Sequence, residues 1–257
     1  LMLYRHLEAT SIFFLLLGVA GILVSLLQYA DTSSDYFRNP KMEKTKRDSE
    51  IVLIHKTTPE KQSPDVFSMF DAVLYINLDR RTDRRAEIES ELDRMNVPAE
   101  KKTRIPGVVV KDGRAGCTRA HINALLEFKA HPEWKTCVVL EDDFQFTKPL
   151  EYNQTVLNTF LAQFNSDEWD ILLLSGQIDK FEYVKNDDNS LMRVLSSTCT
   201  DGYVVNRRYL DALLANFQEG LAKLESRGSK KYNLDIYWRH LMPSGRWFNF
   251  NPMLGQQ

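Results

Sequence analysis

Four apolar runs of strand length decide what this chain can build: AVLYINL at 72–78, TCVVLE at 136–141, DILLLSG at 170–176 and GYVVN at 202–206. They are rich in aliphatic and aromatic side chains with no charge inside the run, as expected of strands buried on both faces. Stretches of helical period stand between them. In RTDRRAEIESELDRMN, Ile88, Leu92 and Met95 fall at i, i+4 and i+7, and the helix ends at Asn96 before Pro98. A strand is expected around RIPGVVV (104–110), then a turn at Asp112-Gly113 and a helix from about Thr118 to Ala130, stopped by Pro132. Val156, Leu157, Phe160, Leu161 and Phe164 space a further helix; Tyr209, Leu210, Leu213, Leu214 and Phe217 space another, and NLDIYWRHLM reads as a short one. Strands alternating with helices predict an α/β domain with a mostly parallel, doubly wound sheet flanked by helices.

Ahead of this domain the chain changes character. SIFFLLLGVAGILVSLLQYA, residues 11–30, carries no charge over 20 residues. At 1.5 Å per residue it can cross a bilayer core of about 30 Å. The run is longer than the apolar part of a cleaved signal peptide, and Gln28 stands where cleavage after Ala30 would want a small residue. The expected division is a short tail at 1–10, a transmembrane signal anchor at 11–30, a polar stem at 31–70 and the catalytic domain at 71–257. Only Arg5 precedes the apolar run, while Arg38, Lys41, Lys44, Lys46 and Arg47 follow it, so charge alone would leave the domain in the cytoplasm. The formal net charge of −2 gives no basic field for a nucleic-acid partner. Three cysteines are too few for a disulfide framework: Cys137 reads as a buried strand residue, while Cys117 and Cys199 could pair in an oxidising compartment. Asn153-Gln154-Thr155 is a glycosylation sequon.

The chemistry concentrates in CVVLEDDFQF, 137–146, where a buried strand ends in Glu141, Asp142 and Asp143. Adjacent carboxylates raise one another's pKa unless a cation or hydrogen-bond donors compensate. In open α/β sheets ligands gather at the carboxyl ends of the strands. Carboxylate oxygens suit Mg²⁺ or Mn²⁺, which fill their remaining positions with water and substrate phosphates, so the natural guest is a metal-bound diphosphate.

At this point the chain resembles glycosyltransferase family 25, which includes bacterial lipooligosaccharide galactosyltransferases and the collagen hydroxylysine sugar transferases. The resemblance is carried by YINLDRRTDRR (75–85), GCTRAH (116–121), VVLEDDFQF (138–146), TDGYVVNRRYLDALL (200–214), NLDIYW (233–238) and PMLGQQ, in that order. Ala120-His121 departs from the family's usual Ser-His pair. The resemblance implies a GT-A type fold and metal-dependent transfer of galactose or glucose, with inversion, from a UDP-sugar to a hydroxyl of a glycan or modified protein. It also implies Mn²⁺ or Mg²⁺ on Asp143 with Asp142, and Glu141 or Asp142 on the ribose or a metal-bound water. Ile76, Asn77 and Leu78 would cradle the uridine. In eukaryotic members an anchor, a stem and a domain facing the lumen of the endoplasmic reticulum or Golgi are usual, which opposes the charge bias above.

Arg80, Arg81, Arg84 and Arg85 sit near a helix start, where arginine can grip phosphate; Arg80 and Arg84 are the choices, against a solvated helix face paired with Glu87 and Glu89. Inversion needs a base near the acceptor hydroxyl, and the candidates are Asp235 and Asp201. His121 and His240 read as structural residues, and Trp238 and Trp247 as core or cleft wall. A catalytically silent, membrane-tethered binding module is the alternative, which would be free to lose the acid cluster that this chain keeps. A nucleotidyltransferase would call for a glycine-rich phosphate loop, and AVLYINLDRR contains no glycine.

Overall fold

The computed structural model describes residues 69–185 and 189–257. Its strands are β1 (Ala72–Asn77), β2 (Lys102–Pro106), β3 (Thr136–Glu141), β4 (Gln145–Phe146), β5 (Ile171–Leu173), β6 (Gln177–Tyr183), β7 (Leu191–Thr198), β8 (Gly202–Asn206), β9 (Trp247–Phe250) and β10 (Gly255–Gln256). Its helices are α1 (Thr82–Arg94), α2 (Gly113–Ala130), α3 (Leu150–Gln163), α4 (Leu210–Arg227) and α5 (Leu234–Tyr237). One eight-stranded sheet has the order β2-β1-β3-β8-β5-β9-β7-β6, and β10 pairs with β4 in a separate ribbon.

The apolar runs earn their places by alternation. Val73 and Tyr75 of β1 and Val138 and Leu140 of β3 pack with Ile88 and Leu92 of α1 and Leu157 and Phe160 of α3. Ala72 and Leu74, with Cys137 and Val139, turn to the other face, against Ile122, Leu125 and Phe128 of α2 and Leu210 and Leu213 of α4. Both faces are therefore covered, as a doubly wound sheet requires. Burying each such side chain is worth about 1.5–3 kcal/mol, so the ends of β1 and β3 are held firmly from both sides.

The sheet is mainly parallel, as expected, but β8 and β7 run against the other strands. β2, β1 and β3 are parallel neighbours, as are β5 and β9, but β8 lies antiparallel between β3 and β5. β7 is antiparallel to β9 and β6. Between β5 and β8 the described chain holds the β6–β7 pair and no helix, so there is no crossover by which β8 could return parallel to its neighbour β5. The strand expected at 104–110 is also shorter. Gly107 donates its N–H to the Asn77 carbonyl at 2.9 Å, and the chain then leaves the sheet, so Val109 is 66% exposed rather than paired. α2 begins earlier than expected, at Gly113, because Asp112 caps it by accepting the Arg114 N–H at 3.0 Å.

Several smaller expectations are decided. Trp238 and Trp247 are fully buried and meet edge to face at 5.1 Å, so they are core. Cys137 is buried in β3, and all three cysteines are free, including Cys117 and Cys199. Asn153 is buried within α3, and its Nδ2 donates to the Lys148 carbonyl at 3.0 Å, so the sequon is no exposed acceptor in the folded chain. Among the described residues no helix is long and apolar enough to cross a membrane. The expected anchor at 11–30 and all but the last two residues of the stem lie outside the described residues.

Candidate active site

β1 and β3 run side by side with Ile76 opposite Glu141, so the acid cluster emerges beside the end of the first strand. There Asn77 Nδ2 donates to Asp142 Oδ2 at 2.7 Å and to the Arg81 carbonyl at 3.0 Å, while Asn77 Oδ1 accepts from Arg104 Nε at 3.1 Å. Arg104 also donates to the Asn77 carbonyl at 3.0 Å and pairs with Asp79. Asn77 is 1% exposed, and its side chain brackets the acid. Its neighbours Ile76 and Leu78 do line a cavity of about 270 Å³. Arg80 and Arg81, the 107–110 loop, Cys117 and His121 of α2, and Glu141 and Asp142 complete the wall. Loop and helix close on each other because residue 116 is glycine: a Cβ there would lie 2.4 Å from the Val108 carbonyl oxygen.

The three acids have separate surroundings. Burial pushes the Glu141 carboxyl up, but hydrogen bonds from His121 Nε2 and Thr200 Oγ1, each at 3.2 Å, outweigh that and leave it below the ordinary glutamate range. Burial, helped by the charge of Asp143, raises Asp142, and the Asn77 hydrogen bond only partly offsets this. Asp143 accepts from Gln257 Nε2 at 3.1 Å and lies 3.9 Å from Arg84. It flanks a small cleft shared with Asp142, Glu87 and Glu91.

The predicted arginines divide. Arg81 pairs with Asp83 at 2.8 Å and Arg85 with Glu89 at 2.9 Å, as on any solvated helix face. Arg84 contacts both Glu87, at 3.6 Å, and Asp143. Arg80 lines the cavity and makes no ion pair among the described residues.

The two candidate bases part company as well. Asp235 stands in the first turn of α5 and lines a second cavity of about 350 Å³ with Arg114, Cys199, Thr200, Asn233 and Gln257. Gly113, Cys117 and Glu141 are common to both cavities. Asp201 is 2% exposed and lines neither. Its Oδ2 accepts from Ser175 Oγ at 2.7 Å, its Oδ1 has no partner among the described residues, and its backbone carbonyl accepts the Glu141 N–H at 2.8 Å. Asp201 therefore braces Glu141 from behind. Sequence reasoning missed Arg104 and Thr200, whose only signal was that each adjoins or lies in a stretch of interest, and it treated His121 as structural.

Burial raises the Asp201 carboxyl above the ordinary aspartate range despite the Ser175 hydrogen bond. A carboxyl raised by folding favours the folded state while protonated, and that contribution is lost as pH rises through the folded value. Asp201→Asn is accordingly expected to raise the melting temperature at pH 8 and to lose that advantage toward pH 3, measured by thermal melts across the range. A gain that grows on acidification would contradict the assignment.

No protein-family model matches the chain, and no curated protein matches it. Among solved structures it is similar to a glycosyltransferase involved in the glycosylation of the major capsid of PBCV-1, with a TM-score of 0.46 and 8% identity over 68% of this chain and 79% of that one. It is also similar to mannose-1-phosphate geranyltransferase from Thermus thermophilus, with a TM-score of 0.39 and 13% identity over 69% and 72% of the two chains. The functional reading rests on the chain's own residues.

Proposed function

We propose that the chain is a metal-dependent, inverting glycosyltransferase of GT-A type that moves galactose or glucose from a UDP-sugar to a hydroxyl of a glycan or modified protein. The observation that supports it most is the bracketed acid pair Asp142–Asp143 beside the aligned ends of β1 and β3, next to a cavity walled by Ile76, Leu78 and Arg80. The order of the family 25-like motifs agrees with it. An all-oxygen donor set on Asp142 and Asp143 fits Mn²⁺ or Mg²⁺, and the raised Asp142 carboxyl is a group that a cation would relieve. Such an ion, when bound, supplies Lewis-acid stabilisation of charge on a leaving diphosphate.

In this reading the chain's own groups have distinct tasks. Asn77 fixes Asp142, and Gln257 with Arg84 fixes Asp143. Ile76 and Leu78 offer the base an apolar wall, and Arg80 offers donors to phosphate oxygens. The acceptor enters the second cavity, where Asp235 takes the proton from its hydroxyl. The segment at 11–30 is assigned as a signal anchor holding the enzyme to a membrane.

The test is UDP release by the full chain from several UDP-sugars with and without Mn²⁺, paired with UDP binding. Metal-dependent release from a galactose or glucose donor is expected. Absence of both release and metal-dependent UDP binding would leave the silent binding module as the better account. Asp235→Asn should bind UDP normally and lose about 10²–10⁴-fold in transfer rate.

A further inference from the structure

We propose that Cys117, His121 and Glu141 form a site for a thiophilic divalent cation of the zinc class, separate from the Asp142–Asp143 pair. The thiol sulfur, an imidazole nitrogen and a carboxylate oxygen of these residues all lie within 4.8 Å of one another. Cys117 and His121 are i and i+4 on α2, hence on one helix face, and that face meets the end of β3.

Two of the three donors are already fixed. The His121 ring is fully buried, with Nδ1 2.9 Å from the Tyr203 hydroxyl and Nε2 3.2 Å from Glu141 Oε1. Stacking on Tyr203 at 5.8 Å and the edge of Phe217 at 6.3 Å hold its plane. Thr200 Oγ1 holds the same carboxylate oxygen, and Asp201 holds the Glu141 backbone. Without an ion, Nε2–H donates to Glu141 and Nδ1 accepts from the Tyr203 hydroxyl; with an ion bound, the ring proton stands on Nδ1, which donates to Tyr203, and Nε2 turns its lone pair to the metal.

Zinc bonds of about 2.0–2.3 Å in a tetrahedron set donors about 3.3–3.6 Å apart. The imidazole and carboxylate are near that spacing, and rotation of the Cys117 side chain brings in the sulfur. A thiolate, an imidazole and a carboxylate together suit zinc rather than manganese or magnesium, which prefer oxygen alone. Cys117 and Glu141 line both cavities and His121 the first, so a fourth position is open to them. Binding forms three metal–ligand bonds, sends the Cys117 thiol proton to solvent and shifts the proton of the neutral His121 ring from Nε2 to Nδ1.

This site goes beyond the transferase reading and stands whether or not UDP binds. The test titrates Co²⁺, then competing Zn²⁺, into the full chain and follows the thiolate-to-cobalt charge-transfer absorbance. One equivalent should give the band, and Zn²⁺ should abolish it. Cys117→Ser should lose the band. Cys199→Ser and the double variant Asp142→Asn/Asp143→Asn should keep it. Tyr203→Phe removes only the hydroxyl behind His121 and should weaken cobalt binding about 10–100-fold. Absence of the band, or its survival in Cys117→Ser, overturns the proposal. Mn²⁺-dependent UDP binding, measured separately, reports on the transferase reading alone.

Discussion

Asp143→Ala is expected to remove the Mn²⁺-dependent part of UDP binding while leaving the fold near intact. The side chain packs into no core; it meets Gln257 at 3.1 Å and Arg84 at 3.9 Å at the rim of a small cleft. Losing these exposed contacts costs little, since surface ion pairs are worth about 0–1 kcal/mol. Losing a metal ligand costs more: removal of an outer partner alone commonly reduces metal affinity about 10–100-fold, so removal of the ligand should reduce metal-dependent binding by about 100-fold or more. Asp142→Asn should behave differently. Asn77 donates to Asp142 through its own amide, and an amide at 142 can turn an oxygen toward it, so the bracket survives and only part of the effect is expected. Calorimetric UDP titration with and without Mn²⁺ separates the two variants. Unchanged metal-dependent binding in Asp143→Ala would show that Asp143 is not a ligand.

What could be read in advance followed the strength of the local signal. β1, β3 and β8 are continuous apolar runs, and α1 carries Ile88, Leu92 and Met95 in helical register; all four were legible, and so was the exit of the acids from β3. The β6–β7 pair was not. Along QIDKFEY nearly every side chain is exposed, because an edge strand buries little, and no apolar alternation marks it. Missing that pair removed the reason for β8 to run antiparallel, so the two reversed strands within the mainly parallel sheet were not foreseen. The run VVV at 108–110 misled in the opposite sense: it has strand composition, but Gly107 is held by Asn77 and the chain is steered over α2. At the site the acids and Asp235 were visible as types, whereas Arg104 and Thr200 act through partners 27 and 59 positions distant in sequence. Such long-range pairings leave no local pattern.

Phe144→Ala is expected to destabilise the chain by about 3–5 kcal/mol, the range for losing a buried aromatic side chain from a core that cannot collapse around the gap. Phe144 directly follows the acid cluster, is 1% exposed and meets Phe146 edge to face at 4.9 Å. Two glycines show how tightly the ring is seated. A Cβ at Gly202, the first residue of β8, would lie 2.4 Å from the ring, and one at Gly255, in β10, would lie 2.1 Å from it. The ring therefore fills the space between the central sheet and the β4–β10 ribbon, and Gly255 N–H donates to the Leu174 carbonyl at 2.8 Å beside it. Either glycine replaced by alanine should cost about 1–3 kcal/mol through overpacking. Phe144→Leu combined with Gly202→Ala should cost less than the sum of the two single changes, since the smaller side chain vacates the space the new methyl needs. Urea unfolding measures all of these variants, and a loss below about 1 kcal/mol for Phe144→Ala would mean that the ring does not hold the ribbon against the sheet.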